Sequence, residues 1–185
     1  DGYCINILDT PGHQDFSEDT YRTLMAADSA VMVIDASKGV EAQTIKLFKV
    51  CVMRHIPIFT FINKMDRDAR DTFELLDEIE NVLGIRTCPM NWPIGSGKEF
   101  KGVYDRETKM VDTFEAISTG GAKKAAETQY HIEDQELKDL IGPYLYDQFK
   151  EEIELVDGAT DEVDLEKVQK GELSPVFFGS ALNTF

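Results

Sequence analysis

Residues 58–66 read Ile-Phe-Thr-Phe-Ile-Asn-Lys-Met-Asp. A mostly apolar run ends there in a polar loop that carries Asn63, Lys64 and Asp66. A short run of this kind, apolar without alternation, is typical of a strand buried on both faces of a parallel sheet. Three other runs lead into a polar or glycine-containing loop in the same way: Tyr3–Leu8 before Asp9, Ala30–Ile34 before Asp35, and Ser174–Phe178 before Gly179.

Helical patterns lie between these runs. Apolar residues recur every three or four positions in residues 17–27, 41–55 and 72–83, and Gly84 follows the last of them as a predicted C-cap. The alternation of strand and helix predicts an α/β fold, with a mostly parallel sheet and flanking helices. Right-handed crossovers bring the carboxyl ends of parallel strands to one edge, where ligands of open α/β sheets bind. The polar loops are therefore expected at a common edge.

The alternation of predicted strands and helices ends after residue 87. Residues 100–104 and 110–114 suggest a short hairpin, and helices are predicted at 134–141, 144–156 and 164–170. These features predict an inserted α+β subdomain, made of a hairpin and acidic helices. The predicted division is a partial core at 1–87, the insertion at 88–172, and a return to the core at 173–185.

The composition excludes some classes of protein. The 185 residues include 35 acidic and 19 basic ones, which gives a formal charge of −16. An acidic surface repels phosphate backbones, which argues against DNA binding, and no apolar run is long enough for a membrane helix. Residues 133–185 hold 14 acidic and 4 basic residues. This stretch predicts solvated helix faces, and the alternative is a docking surface for a basic protein.

The cysteines indicate a compartment. Cys4, Cys51 and Cys88 are far apart and form no Cys-x-x-Cys pair, so we expect neither a disulfide framework nor a zinc site. Free thiols fit a reducing cytoplasm. Cys4 and Cys51 lie in apolar surroundings and are predicted to be small core residues.

The first candidate motif is the loop Asp9-Thr10-Pro11-Gly12-His13. An aspartate at the end of a strand can hold Mg²⁺, directly or through water. A glycine three residues later exposes its backbone N–H to a terminal phosphate, with no side chain in the way. Taken alone, the pattern also fits a plain turn after a strand.

The second candidate is the loop Asn63-Lys64-Met65-Asp66. A carboxylate can accept two parallel hydrogen bonds from the N1–H and amino group of guanine, and adenine offers no such pair. A lysine stem can lie over the base plane, and an asparagine can tie neighbouring loops together. The alternative interpretation is an ordinary polar loop after a strand.

The third candidate is Gly179-Ser180-Ala181, where small residues would let a backbone N–H approach the guanine carbonyl oxygen. A further pattern, residues 95–98 (Gly-Ser-Gly-Lys), resembles half of a phosphate-binding loop. Trp92 and Glu99 stand where the complete pattern requires glycine and Ser or Thr. A surface loop is therefore predicted at 95–98.

Together, residues 9–13, 63–66 and 179–181 resemble the third, fourth and fifth signature motifs of translational GTPases. Longer stretches are similar to the bacterial peptide-chain release factor 3 family, and the resemblance covers essentially the whole chain. These stretches are residues 15–24, 63–68, 92–95 with 101–104, and 175–181. Elongation factor G shares the short motifs, but the run from Ser17 to Leu24 is not expected there.

The resemblance implies roles on the phosphate side of a nucleotide site. Asp9 would support Mg²⁺, through water, and Gly12 would bind the γ-phosphate. His13 would be the catalytic residue that orients the attacking water. Thr10 and Pro11 belong to the same nucleotide-binding loop.

The resemblance also implies a guanine pocket, a cofactor and partners. The pocket residues would be Asn63, Lys64, Met65, Asp66, Ser180 and Ala181. GTP or GDP with Mg²⁺ would be the cofactor. The implied activity is GTP hydrolysis during translation termination, which promotes the release of class-I release factors from the ribosome.

In this family the phosphate-binding loop and the first switch precede the strand that here begins near Tyr3. Most of the phosphate cradle comes from that loop, so we expect these 185 residues alone to bind GTP poorly or not at all and not to hydrolyse it. The absent central strand would leave two strand edges open, which predicts self-association through those edges. The alternatives are the G domain of another translational GTPase, such as elongation factor G, or an inert module that binds no nucleotide.

Overall fold

The computed structural model describes residues 2–10, 18–114, 127–160 and 162–183. The helices and strands in chain order are α1 (Glu18–Met25), β1 (Ala30–Asp35), α2 (Ala42–Met53), β2 (Ile58–Asn63), α3 (Thr72–Leu83), β3 (Arg86–Pro89), β4 (Asn91–Ile94), β5 (Gly102–Asp105), β6 (Met110–Phe114), β7 (Glu127–His131), α4 (Gln135–Ile141), α5 (Pro143–Ala159), α6 (Leu165–Gln169) and β8 (Leu173–Phe178). Short 3₁₀ turns span Gly97–Glu99 and Ala181–Asn183.

The first sheet is parallel and has the strand order β1-β2-β8-β3. The register places Asp35 beside Asn63 and Ile62 beside Phe178. The loops that follow β1, β2 and β8 therefore leave the sheet at the same edge. The predicted α/β fold is confirmed, and so is a common edge for these three loops.

Helix α3 shows how the sequence sets the ends of an element. The Asp71 carboxylate accepts a hydrogen bond from the Glu74 N–H at 3.0 Å, which caps the first turn. Gly84 ends the helix in the left-handed conformation with φ 70°, as predicted for a C-cap. Leu75 and Ile79, one turn apart, are completely buried. The helix thus packs one apolar face into the core.

The second sheet is an antiparallel meander with the order β4-β5-β6-β7. It contains the predicted hairpin as β5 and β6, whereas β7 was not predicted. Trp92 on β4 joins the two sheets, because its ring lies 4.8 Å from that of Phe73 and 5.5 Å from that of Phe178. Buried residues of both sheets share one large hydrophobic cluster, and Cys88, Val168 and Leu173 form a smaller second one.

The prediction of a strand at Tyr3–Leu8 is wrong. Residues 2–10 have no regular secondary structure, and Tyr3, Ile5 and Ile7 are 92%, 86% and 88% exposed. Cys4 is exposed as well, so its placement in the core is also wrong. A strand needs a neighbour for its N–H and C=O groups, and no segment among the described residues pairs with 3–8.

Strand β1 lies at the edge of the first sheet, and within the described part of the chain β2 is its partner. Self-association through this edge stays a prediction, as does the division of the chain after residues 87 and 172. None of the helices in the described ranges is long and apolar enough to cross a membrane.

Candidate functional site

Asn63 ties two loops of the common edge together. Its Oδ1 atom accepts hydrogen bonds from the Lys64 N–H at 2.8 Å and from the Ala181 N–H at 2.9 Å. The backbone adds two further links, from the Met65 N–H to the Gly179 carbonyl (3.1 Å) and from the Gly179 N–H to the Ile62 carbonyl (3.0 Å). Loops 63–66 and 179–181, predicted separately from the sequence, are thus one hydrogen-bonded unit.

Asp66 is fixed by the second of these loops. The Ser180 hydroxyl donates to Asp66 Oδ1 at 2.5 Å, and Ser180 is completely buried. Asp66 itself is half-buried, and its Oδ2 atom has no hydrogen-bond partner in the described part of the chain. Each carboxylate oxygen can accept two hydrogen bonds. Asp66 therefore keeps acceptor capacity on both oxygens while its orientation is set by Ser180.

Lys64 is held in an unusual conformation. Its backbone is left-handed with φ 70°, which is uncommon for a residue with a side chain. Its Nζ atom forms an ion pair with Asp35 Oδ2 at 2.6 Å. Burial acts to raise the pKa of Asp35, but hydrogen bonds from Lys64 and Ser37 outweigh this effect and lower the pKa from 3.8 to about 2. The Asp35 carboxylate is therefore a stable negative charge beside Lys64.

The loop at residues 95–98 also contacts the site. The Gly97 N–H donates to the Met65 carbonyl at 2.8 Å, and the Met65 side chain is completely buried. Gly97 has φ 59°, and a Cβ atom there would lie 3.5 Å from the Arg67 carbonyl oxygen. This loop, predicted only as a surface loop, supports the loop of residues 63–66 from the side of the second sheet.

The described structure does not bring Asp9 and Thr10 to this cluster. Asp9 and Thr10 follow the exposed segment 2–8, and within the described ranges no hydrogen bond or ion pair joins them to loops 63–66 or 179–181. Pro11, Gly12 and His13 lie outside the described residues. The roles predicted for residues 9–13 stay predictions.

Sequence reasoning missed three supporting residues: Asp35, Asn91 and Gly97. The Asn91 side chain donates to the Phe178 carbonyl at 3.0 Å and accepts from the Phe178 N–H at 2.7 Å. It thereby fixes the end of β8, directly before Gly179. An isolated polar residue at a strand end carries little signal, although the repeated placement of such residues on this edge could have been noticed.

Comparison with known proteins identifies the family. The whole chain, residues 1–185, matches the family described as Elongation factor Tu GTP binding domain. The chain belongs to this family. The fold is therefore that of a GTP-binding domain of this family.

Relatives with high sequence identity show which branch of this family the chain resembles. The chain is 59% identical over 184 residues to Peptide chain release factor 3 of Symbiobacterium thermophilum, which covers 100% of this chain and 35% of that protein. It is 56% identical over 184 residues to the protein of the same name from Synechocystis sp., with 100% of this chain and 34% of that protein covered. The predicted resemblance to the release factor 3 family is confirmed.

A solved structure supports the same fold. A crystal structure of a protein from Thermus thermophilus aligns with a TM-score of 0.65 and 21% identity, over 95% of this chain and 27% of that chain. At this identity the likeness concerns the fold alone. The GTP-binding domain described here spans about a third of the length of its curated relatives.

Proposed function

We propose that loops 63–66 and 179–181 form the guanine-recognition half of a GTP site. The observation that carries the proposal is the Ser180–Asp66 hydrogen bond, because it orients a half-buried carboxylate and leaves Oδ2 without a partner in the described structure. The N1–H and amino group of guanine would donate to the two oxygens. Adenine would place no such donors there, and a desolvated carboxylate left unpaired is penalised heavily.

The neighbouring residues support this role for Asp66. The Lys64 stem would cover one face of the base, while Asn63 holds the two loops together. A backbone N–H of residues 179–181 was predicted to approach the guanine carbonyl oxygen, and the Ala181 N–H donates to Asn63 Oδ1 in this structure. For Ala181 to reach the base, this N–H would have to be shared or released.

We propose GTP hydrolysis as the activity of the longer protein that carries this domain. His13 would orient the attacking water, Gly12 would bind the γ-phosphate, and Asp9 would hold Mg²⁺ through water. Replacing His13 with Ala in the full-length protein should leave GDP affinity unchanged and slow ribosome-stimulated hydrolysis. A hydrolysis rate equal to that of the unaltered protein would remove His13 from the catalytic step.

The similarity to Peptide chain release factor 3 supports a role in translation termination. The full-length protein would act in the cytoplasm, bind the ribosome and promote the departure of class-I release factors. The 185 residues alone would bind nucleotide poorly, because Asp9 and Thr10, predicted for the phosphate side, end a segment without regular secondary structure. Single-turnover hydrolysis with and without ribosomes would test the full-length protein and this domain separately.

Calorimetric titration with GDP, and with ADP as the control, tests the guanine assignment. The full-length protein should bind GDP and show no comparable affinity for ADP. Equal affinity for the two nucleotides would contradict the role of Asp66. The same titration on the 185-residue chain should give weak GDP binding or none, and GDP affinity equal to that of the full-length protein would contradict this expectation.

A further inference from the structure

Asp35 lies outside the three motifs, yet it contacts a residue inside one of them. Its Oδ2 atom is 2.6 Å from Lys64 Nζ, and its side chain is 12% exposed. By contrast, the Lys38–Glu41 pair spans 3.5 Å between side chains that are 55% and 54% exposed. Exposed pairs contribute little, because water competes for both charges. Lys64 is 41% exposed, so the Asp35–Lys64 pair is partly shielded from water, and its short contact can restrain the lysine side chain.

The Asp35 carboxylate is itself held in place. Its Oδ1 atom accepts hydrogen bonds from the Ser37 N–H at 2.9 Å and the Ser37 hydroxyl at 2.7 Å. The Asp35 carbonyl accepts from the Lys38 and Gly39 N–H groups, which closes the turn after β1. One carboxylate oxygen thus belongs to the turn and the other to Lys64, so the position of the turn determines where the Lys64 ammonium lies.

Lys64 is fixed at both of its ends. Its N–H donates to Asn63 Oδ1, its backbone is left-handed, and its ammonium is bound by Asp35. A free lysine side chain has many rotamers, and part of this conformational entropy must be given up when a ligand immobilises it. A lysine already restrained in the unliganded protein avoids much of that cost.

We propose that Asp35 is a positioning residue for guanine recognition, which holds the Lys64 stem ready to cover the base. This inference rests on the proposed function, since it assumes that a purine binds beside Lys64. It adds a residue at the end of β1, beside Asn63 in the sheet register, to the determinants of nucleotide affinity. Asp35 acts through Lys64 and makes no contact with the base itself.

The test is Asp35→Asn in the full-length protein, which keeps the side-chain shape and removes the charge. GDP affinity should fall about tenfold, the usual consequence of losing a charge-assisted contact. Affinity for inorganic pyrophosphate, which has no base, should not change. A matched control is Asp157→Asn, which removes a partly buried ion pair with Arg106. Within the described part of the chain, Asp157 forms no hydrogen bond or ion pair with loop 63–66. This control should leave GDP affinity unchanged.

A double-mutant cycle with Lys64→Ala separates positioning from general damage. If Asp35 acts through Lys64, Asp35→Asn should cause no further loss of GDP affinity in the Lys64→Ala background. Additive losses, or an equal loss of pyrophosphate affinity, would overturn the inference. Should Asp35→Asn fail to fold, Asp35→Glu retains the carboxylate at a shifted position, and GDP affinity equal to that of the unaltered protein would overturn the inference.

The same measurements distinguish a failure of the inference about Asp35 from a failure of the proposed guanine pocket. If the unaltered protein prefers GDP to ADP and Asp35→Asn binds GDP equally well, the inference about Asp35 fails and the guanine pocket stands. If the unaltered protein does not distinguish GDP from ADP, the guanine pocket fails and the inference fails with it.

Discussion

A 2.9 Å hydrogen bond joins the Ala181 N–H to Asn63 Oδ1 across 118 positions of the sequence. The same oxygen accepts the Lys64 N–H at 2.8 Å. This side-chain atom therefore joins the loop that carries Asp66 to the loop that carries Ser180, beside the backbone bonds between Met65, Gly179 and Ile62. The alignment of Asp66 with its partner depends on this junction.

Replacement of Asn63 with Ala should weaken the junction between the two loops. We expect a loss of about 1–3 kcal/mol in the free energy of unfolding, because two N–H donors lose their acceptor. GDP affinity should fall by at least about tenfold, since Asp66 loses its fixed orientation. Urea denaturation and calorimetric titration measure the two effects. Asn63→Asp retains the accepting oxygen and is the matched control, and a similar loss of stability in both variants would contradict this role of the oxygen.

Asp66→Asn should change the preferred base. An amide presents one donor and one acceptor, so it no longer suits the paired donors of guanine, and it suits the C2 oxygen of xanthine. GDP affinity should fall and xanthosine diphosphate affinity should rise in the full-length protein. Asp68→Asn, an exposed acidic residue of the same loop, is the control and should leave both affinities unchanged. Unchanged GDP affinity in Asp66→Asn would exclude Asp66 from the base pocket.

Much of the fold could be predicted from the sequence, because buried parallel strands and amphipathic helices have distinct patterns. Strands β1, β2 and β8 and helix α3 lie where apolar runs and helical spacing predict them. Loops 63–66 and 179–181 could be predicted as a pair because Asn, Lys, Asp and small residues follow those strands. The strand prediction for residues 3–8 was wrong, because apolar character indicates a preference for burial. It does not show whether a partner strand is present to pair with the segment.

The rest of the site depends on contacts that no local pattern encodes. Asp35 meets Lys64 across two strands, and their pairing follows from the β1–β2 register. Gly97 reaches Met65 from the other sheet. Strand β7 has the polar sequence Glu-Thr-Gln-Tyr-His, so it lacks an apolar run and is defined by its pairing with β6. Tertiary context decided each of these features.

A buried hydroxyl pair makes the first sheet sensitive to a single substitution. Thr60 and Ser174 are completely buried, their hydroxyl oxygens are 2.7 Å apart, and Ser174 also donates to the Ile58 carbonyl at 2.9 Å. Ser174→Ala leaves the buried Thr60 hydroxyl without this hydrogen-bond partner, which should lower the free energy of unfolding by about 1–3 kcal/mol. Adding Thr60→Val to that variant should recover part of the loss, because it removes the unpaired group. Chemical denaturation of the three variants tests this, and a further loss in the double variant would contradict it.

The Asp35–Lys64 pair should also give the domain a defined acid sensitivity. The pKa of Asp35 is lowered from 3.8 to about 2 in the folded chain. A carboxyl group with a lowered pKa stabilises the folded state above its unfolded pKa, and this contribution is lost as the pH falls through the folded pKa. The unaltered protein should therefore exceed Asp35→Asn in stability by a constant margin above about pH 4, and the margin should shrink between about pH 4 and pH 2. Denaturation of both proteins across this range measures the margin. Asp71→Asn is a useful comparison, because Asp71 caps α3 without an ion pair. A margin for Asp35→Asn that does not change down to pH 2 would show that the Asp35 charge is not held by Lys64.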